Sequence, residues 1–174
     1  MKIAVTDIET TGLDADVNEI LEIGLVVFDD TNFEILDTFE IKVKPEHPEI
    51  HHPKAFEMNG YNEADWKDAV PLSVAMQTYQ QKIDGTIFCA HNMNLDYSFI
   101  KKAFVRCGIE IERMFDRHQI DLFTVAWAKI PHDRMEKWHL PYICRYLGVP
   151  EEPKPHRGKN GATTAYEVYK KLMQ

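Results

Sequence analysis

The stretch Ile3-Ala4-Val5-Thr6-Asp7-Ile8-Glu9 decides how this chain reads. It has the composition of a strand, and Thr10-Thr11-Gly12-Leu13 reads as the turn that follows it. Ile20, Ile23, Leu25, Val26, Val27 and Phe28 predict a second strand, Asp29-Asp30-Thr31-Asn32 a hairpin turn, and Ile35 to Val43 a third strand. The opening is therefore an antiparallel meander. Asp7 and Glu9 stand two apart on the first strand, so both leave the same face and continue the row begun by Ile3 and Val5. Two like charges side by side in a buried row are costly unless a cation lies between them. A divalent metal is the natural remedy. Mg²⁺ and Mn²⁺ prefer oxygen ligands, and two ions roughly 4 Å apart can bind the attacking and leaving oxygens of a phosphodiester. Taken alone, the pair also fits a strand end with two solvated acids.

Beyond the meander, residues 44–68 are polar and irregular, with prolines at 45, 48 and 53, which suggests a functional loop or short helical turns. Pro71 to Ile83 carries Leu72, Ala75, Met76 and Tyr79 at helical spacing, and Asp84-Gly85 stops it. Ile87 to Ala90 is a short apolar strand. Leu95, Phe99, Ile100, Ala103, Phe104 and Cys107 form a helical stripe ended by Gly108. Helices are also predicted over Leu122 to Ile130, capped by Asp121, over Pro141 to Leu147, and over Ala162 to Leu172. A meander followed by helix-strand-helix units indicates one mixed α/β domain over residues 1–174 with helices packed on the sheet.

The bulk properties exclude several classes. A chain of 174 residues with 44% apolar and 28% charged residues suits a single soluble domain. Cys89, Cys107 and Cys144 lie far apart in apolar stretches, as reduced thiols would, and no signal-like or membrane-spanning run is found. The expectation is a cytoplasmic protein with no membrane partner. A net charge of −8 argues against a broad basic surface for nucleic acid. It is compatible with a metal-dependent nuclease, whose carboxylates add to the acidic total. Local basic segments occur at Lys101-Lys102, Arg113 to Arg117 and Lys154 to Lys159, and the last stands beside His156.

Asp96 is expected just inside the helix after the strand Ile87 to Ala90, and a strand-to-helix junction is a frequent site location. The helix N-terminus favours its negative charge. His91 and Asn92 read as turn residues there. His156, in Pro153-Lys154-Pro155-His156-Arg157-Gly158-Lys159, could orient or deprotonate a water, since its pKa lies near neutrality. His47, His51, His52, His118, His132 and His139 read as surface histidines.

Together, Asp7-x-Glu9, His91-Asn92 with Asp96, and His156 resemble in order the motifs of the DnaQ-like, DEDDh-type 3′–5′ exonuclease superfamily: D-x-E, H-N-x-x-x-D and H-x-x-x-x-D. The likeness extends to Thr10-Thr11-Gly12-Leu13, to the segment Ala55-Phe56-Glu57-Met58-Asn59-Gly60-Tyr61, and to Asp121, Leu140 and Leu147-Gly148. The resemblance implies a ribonuclease H-like mixed sheet, with the three-strand meander plus parallel strands, flanked by helices. It implies that Asp7, Glu9 and Asp96 hold Mg²⁺ or Mn²⁺ and are catalytic with His156, the general base. It further implies that Thr10, Thr11, Gly12, Leu13, His91 and Asn92 bind substrate, the 3′ ends of single-stranded DNA or RNA. A polymerase or a replication or repair complex is the partner class that goes with such a domain. The departure is Gly161, which stands where the family has its fourth aspartate. Its loss would attenuate the two-metal reaction, and an aspartate restored there is expected to raise activity. Asn160 is adjacent but would point elsewhere on a helix. The alternative is a catalytically lapsed nucleic-acid-binding or interaction module on the same fold.

Overall fold

The first strand, β1 (Lys2–Thr10), is buried along almost its whole length, because both of its faces are covered. In this computed structural model, which describes residues 1–110 and 115–174, β1 pairs antiparallel with β2 (Ile20–Asp29), and β2 pairs antiparallel with β3 (Ile35–Lys42). On its other side β1 pairs parallel with β4 (Thr86–Ala90), and β4 with β5 (Phe115–Asp121). The sheet order is β3-β2-β1-β4-β5. The predicted meander and mixed sheet are both present. Val43, expected at the end of the third strand, instead bridges Val70 outside it.

Sequence reading found one strand after the meander, and the structure adds β5. Its residues Phe115-Asp116-Arg117-His118-Gln119-Ile120-Asp121 carry little apolar pattern because it lies at the sheet edge, with His118 and Gln119 exposed. Residues 111–114, with the predicted basic position Arg113, lie outside the described residues.

Six α-helices complete the chain among the described residues: α1 (Pro53–Asn59), α2 (Leu72–Ile83), α3 (Asn94–Arg106), α4 (Leu122–Lys129), α5 (Leu140–Leu147) and α6 (Gly158–Met173). One core lies under α4, α5 and α6 and holds Ile3, Val5, Phe28, Cys89, Tyr166 and Tyr169. The other lies under α2 and α3 and holds Ala4, Ile23, Leu25, Met76, Tyr79 and Phe104. The alternation of β1 divides Ile3 and Val5 from Ala4 and Ile8, which puts Asp7 and Glu9 on the α6 side. No helix among the described residues is long and apolar enough to cross a membrane.

Helix α6 begins at Gly158, earlier than the predicted Ala162, and its start rests on β2 backbone against backbone. A Cβ at Gly24 would overlap the Gly158 carbonyl carbon and the Lys159 nitrogen, and a Cβ at Gly158 would lie 2.6 Å from the Gly24 nitrogen. Further along, the Tyr166 hydroxyl donates to the Phe33 carbonyl at 2.7 Å, while Tyr166 and Tyr169 pack on Phe28. Overpacking a close-packed interior costs about 1–3 kcal/mol and sometimes more. Gly24→Ala should therefore lower the unfolding free energy by about 3 kcal/mol. Urea denaturation checks this, and a midpoint equal to wild type would mean that α6 does not sit so close.

Candidate active site

Pairing between β1 and β4 ends at Val5 with Cys89, so β1 runs on past the end of β4 and carries Asp7 and Glu9 into the crevice beyond it. This is the point where β1 has an antiparallel neighbour on one side and a parallel one on the other, a common place for sites in α/β sheets. Asp96 is the third residue of α3 and only 5% exposed. Its Oδ1 accepts the Ile8 N–H at 3.1 Å, so the amide between the two strand acids fixes the acid of the helix. The sequence reading brought these three together, and the structure does so.

Two further acids reach the crevice that sequence reading missed. Glu22 faces Glu9 across the β1–β2 pair and is fully buried. Its Oε1 accepts the Gly158 N–H at 3.0 Å, and Oε2 has no hydrogen-bond donor. The available signal was a glutamate inside the apolar run Ile20-Leu21-Glu22-Ile23, but the register that sets it opposite Glu9 is not written locally. Glu152 comes from the loop before α6. Its Oε1 accepts the Arg157 N–H at 3.0 Å and its Oε2 lies 3.2 Å from His156 Nδ1.

These acids hold one another's protons. Burial, then the charges of Glu152 and Glu22, push the Glu9 carboxyl up to about 8, against the opposing Arg157 guanidinium. Burial lifts Asp96 to about 7, although the Ile8 amide works the other way. Burial, then Asp96 and Glu9, raise Asp7 well above the usual carboxylate range. Burial and the neighbouring Glu40 carboxyl bring Glu22 to about 7. Such a set is short of positive charge, and an oxygen-rich pocket of this kind suits a hard divalent cation. Among the described residues, one His/Cys/Asp/Glu group brings ligand atoms within 4.8 Å of one another, and it is Glu9, Glu152 and His156. The predicted metal residues Asp7 and Asp96 border that group without joining it.

His156 is half-buried and not freely exposed. Its backbone N–H donates to the Met58 carbonyl at 3.0 Å, and Arg157 donates to the Asn59 and His156 carbonyls while lying over Trp66. Asn59 in turn donates from Nδ2 to the Thr10 carbonyl at 3.1 Å. The end of α1 thus fastens the histidine loop to the end of β1.

The predicted substrate residues divide into two kinds. Thr10 Oγ1 donates to the Gly12 carbonyl at 2.5 Å, and Thr11 Oγ1 accepts the Glu19 N–H at 3.0 Å, so both buried hydroxyls are occupied in building the turn. Gly12 is crowded by Asn18, whereas Leu13 is 78% exposed and free to meet a ligand. Asn92 adopts φ 62°, and the Asn92 and Met93 N–H groups donate to Asp121 Oδ1 at 3.0 and 3.2 Å. Asp121 stands at the predicted N-cap position of α4, where its Oδ2 accepts the Thr124 hydroxyl at 2.7 Å without capping a backbone amide, and its Oδ1 braces the turn before α3. His91 borders a surface cavity with Phe123, Trp138 and His139, and burial drives its pKa down to about 4. His51 stacks on Phe56 and His52 caps α1, which accounts for that pair without a metal.

Gly161 lies in the first turns of α6 and is buried. A Cβ there would overlap the Asp7 carboxylate, with Oδ1 at 3.0 Å. The glycine is thus filled by Asp7, and an added aspartate would meet a side chain of the same charge. This opposes the gain expected of a restored carboxylate. Gly→Ala inside a helix ordinarily stabilises by about 0.5–1 kcal/mol. Here Gly161→Ala should instead destabilise by about 1–3 kcal/mol, and Gly161→Asp in metal-free buffer should melt lower still. Thermal melts in EDTA check both, and a rise in either variant would mean that Asp7 moves aside freely.

The chain is 31% identical over 164 residues to the 3′-5′ exonuclease DinG of Staphylococcus saprophyticus, covering 93% of this chain and 17% of that protein. It is 29% identical over 170 residues to the PolC-type DNA polymerase III of Caldanaerobacter subterraneus, covering 98% of this chain and 11% of that one. The chain therefore spans under a fifth of these relatives' lengths. In fold it resembles E. coli exonuclease I in complex with a dT13 oligonucleotide, with a TM-score of 0.80 at 13% identity over 97% of this chain and 40% of that one. It also resembles the nuclease domain of 3′hExo, a DEDDh family member bound to rAMP, with a TM-score of 0.76 at 18% identity over 97% and 89%. The family model described as Exonuclease (RNase_T) matches residues 4–169, and the chain belongs to that family.

Proposed function

We propose that residues 1–174 form one exonuclease domain that hydrolyses phosphodiester bonds from the 3′ end of single-stranded DNA or RNA with Mg²⁺ or Mn²⁺. The observation that carries this reading is the convergence of Asp7, Glu9 and Asp96 beside His156, in a chain of the Exonuclease family. The carboxyls of Asp7, Glu9 and Glu22, raised first by burial and then by one another's charge, support a cation as the missing partner. Bound divalent ions would supply Lewis acidity to the phosphate and charge neutralisation to the leaving oxygen.

The chain's own residues have distinct parts in this reading. Asp7, Glu9 and Asp96 hold the cations. His156 keeps its Nδ1 proton toward the Glu152 carboxylate, which leaves Nε2 to take a proton from the attacking water. Leu13 packs against the terminal nucleotide from the turn after β1. A groove of about 640 Å³ lined by Lys54, Glu57, Met58, Lys154, Pro155 and His156 borders the histidine and offers two ammonium groups beside one carboxylate to a phosphate backbone. The free Cys89, Cys107 and Cys144 fit a cytoplasmic setting. Association with a polymerase or a repair complex is proposed from the relatives of which this domain forms a part.

The test is turnover of 5′-labelled single-stranded DNA and RNA oligonucleotides in Mg²⁺, Mn²⁺ and EDTA. Expected are 3′-end shortening in either metal, none in EDTA, and a loss of about 10²–10⁴-fold in kcat for His156→Ala. An absence of hydrolysis in both metals with retained oligonucleotide binding would favour a lapsed binding module.

Acid linkage gives a second check. The Glu9 carboxyl, at about 8 when folded, and those of Asp96 and Glu22, at about 7, all lie above their unfolded values. The folded chain then binds more protons than the unfolded one between roughly pH 4 and 8, so metal-free stability falls as pH rises through that window. Melting in EDTA should drop from pH 5 to pH 8, and added Mn²⁺ should raise it more at pH 8 than at pH 5. A flat profile with no metal response would remove the cation from this crevice.

A further inference from the structure

We propose that Glu152 is a ligand of the divalent cation beside Glu9, and that it brings from the loop before α6 the carboxylate that position 161 does not provide. This rests on the reading of the crevice as a cation site.

The geometry is specific to Glu152. One ligand atom from each of Glu9, Glu152 and His156 lies within 4.8 Å of the other two. Ligands of a single octahedral ion at about 2.1 Å stand about 3.0 Å apart when adjacent and about 4.2 Å when opposite. A shift of a few tenths of an ångström thus closes Glu9 and Glu152 onto one ion. The Glu152 side chain is 13% exposed and is fixed at both oxygens, Oε1 by the Arg157 N–H at 3.0 Å and Oε2 by His156 Nδ1 at 3.2 Å. Each carboxylate oxygen has two acceptor positions, so Glu152 can keep its hold on the imidazole while ligating a cation.

Two independent observations point the same way. Gly161 has no room for a side chain while Asp7 occupies its space, so position 161 offers no ligand. Glu22, fully buried across the strand pair from Glu9, has the Glu40 carboxyl beside its own and adds its charge to that of Glu9 and Glu152. The Arg157 guanidinium beside them is shared with the Asn59 and His156 carbonyls. The positive charge that this corner lacks is what a divalent ion supplies.

The experiment is calorimetric titration of the chelator-treated protein with Mn²⁺ alone. Glu152→Gln keeps an oxygen acceptor for His156 Nδ1 and removes the ligand charge, so Mn²⁺ affinity should fall at least about tenfold. Glu151→Gln, the exposed neighbour paired with Arg145, should leave it unchanged. Equal Mn²⁺ affinity and stoichiometry in wild type and Glu152→Gln would overturn the proposal and leave Glu152 as a partner of His156 only. Should Glu152→Gln fail to fold, Glu152→Asp, which withdraws the carboxylate by one methylene, is read by the spin resonance of free Mn²⁺. Weakened binding there supports the proposal and unchanged binding overturns it. Mn²⁺ binding that depends on Glu152 without oligonucleotide hydrolysis would sustain this inference while removing the exonuclease reading. Hydrolysis with binding indifferent to Glu152 would do the reverse.

Discussion

The backbone contact between Gly24 of β2 and Gly158 of α6 is the constraint from which the site follows. With no Cβ on either side, the helix start lies directly on the sheet, where ordinary residues would hold it a side chain's width away. The Gly158 N–H then reaches Glu22 Oε1, which allows a glutamate to be fully buried in the strand behind Glu9. His156 and Arg157 immediately precede that contact, so the loop carrying Glu152 is drawn over the end of β1. Gly161, one turn further, comes to rest against Asp7. A wider helix-to-sheet gap would undo each of these placements.

The same closeness creates an electrostatic problem. Asp7, Glu9, Glu22, Asp96 and Glu152 share one corner of the fold, and Arg157 is the cation that opposes Glu9 and Glu22. Burial in low-dielectric surroundings, and then repulsion between neighbours, favours the protonated forms, which is why these carboxyls titrate above their usual range. A divalent ion offers the other form of relief, and it requires the acids to be ionised. On the proposed reading, the crevice has two alternative states, one protonated and one metal-bound. That coupling follows from burial and charge alone, apart from any family likeness.

Much of this was legible in the sequence. The runs of β1 and β2 and the helical stripes ending in Gly108 and Gly148 carry their own periodicity and stop signals. Asp7, Glu9, Asp96 and His156 were brought together by resemblance to the family's ordered motifs, since spacing and element type alone also fit solvated acids and a surface histidine. What escaped was non-local. Strand β5 is a polar edge whose pairing comes from β4, and Asp121, at the N-cap position of α4 as read, has its amide partners Asn92 and Met93 far away in sequence. Glu152 stands four residues before His156 in an irregular loop, where that spacing has no fixed geometric meaning. Thr10 and Thr11 were assigned to substrate by resemblance, and the hydrogen bonds that bury them depend on where Gly12 and Glu19 fold.

Position 161 shows how packing and chemistry bind each other. A carboxylate carried on a helix is placed by the most rigid part of the scaffold, whereas one carried on a loop is held only by its own contacts. Glu152 makes two such contacts, to the Arg157 amide and to the His156 ring, and both belong to the same loop. Any displacement of that loop therefore moves Glu152 and His156 together and preserves their mutual geometry while changing their distance from Asp7 and Asp96. A site built this way loses precision between its two halves before it loses either half. A glycine whose space is filled by Asp7 leaves the rigid helix without a carboxylate at this position, and Glu152 reaches the crevice from the loop instead.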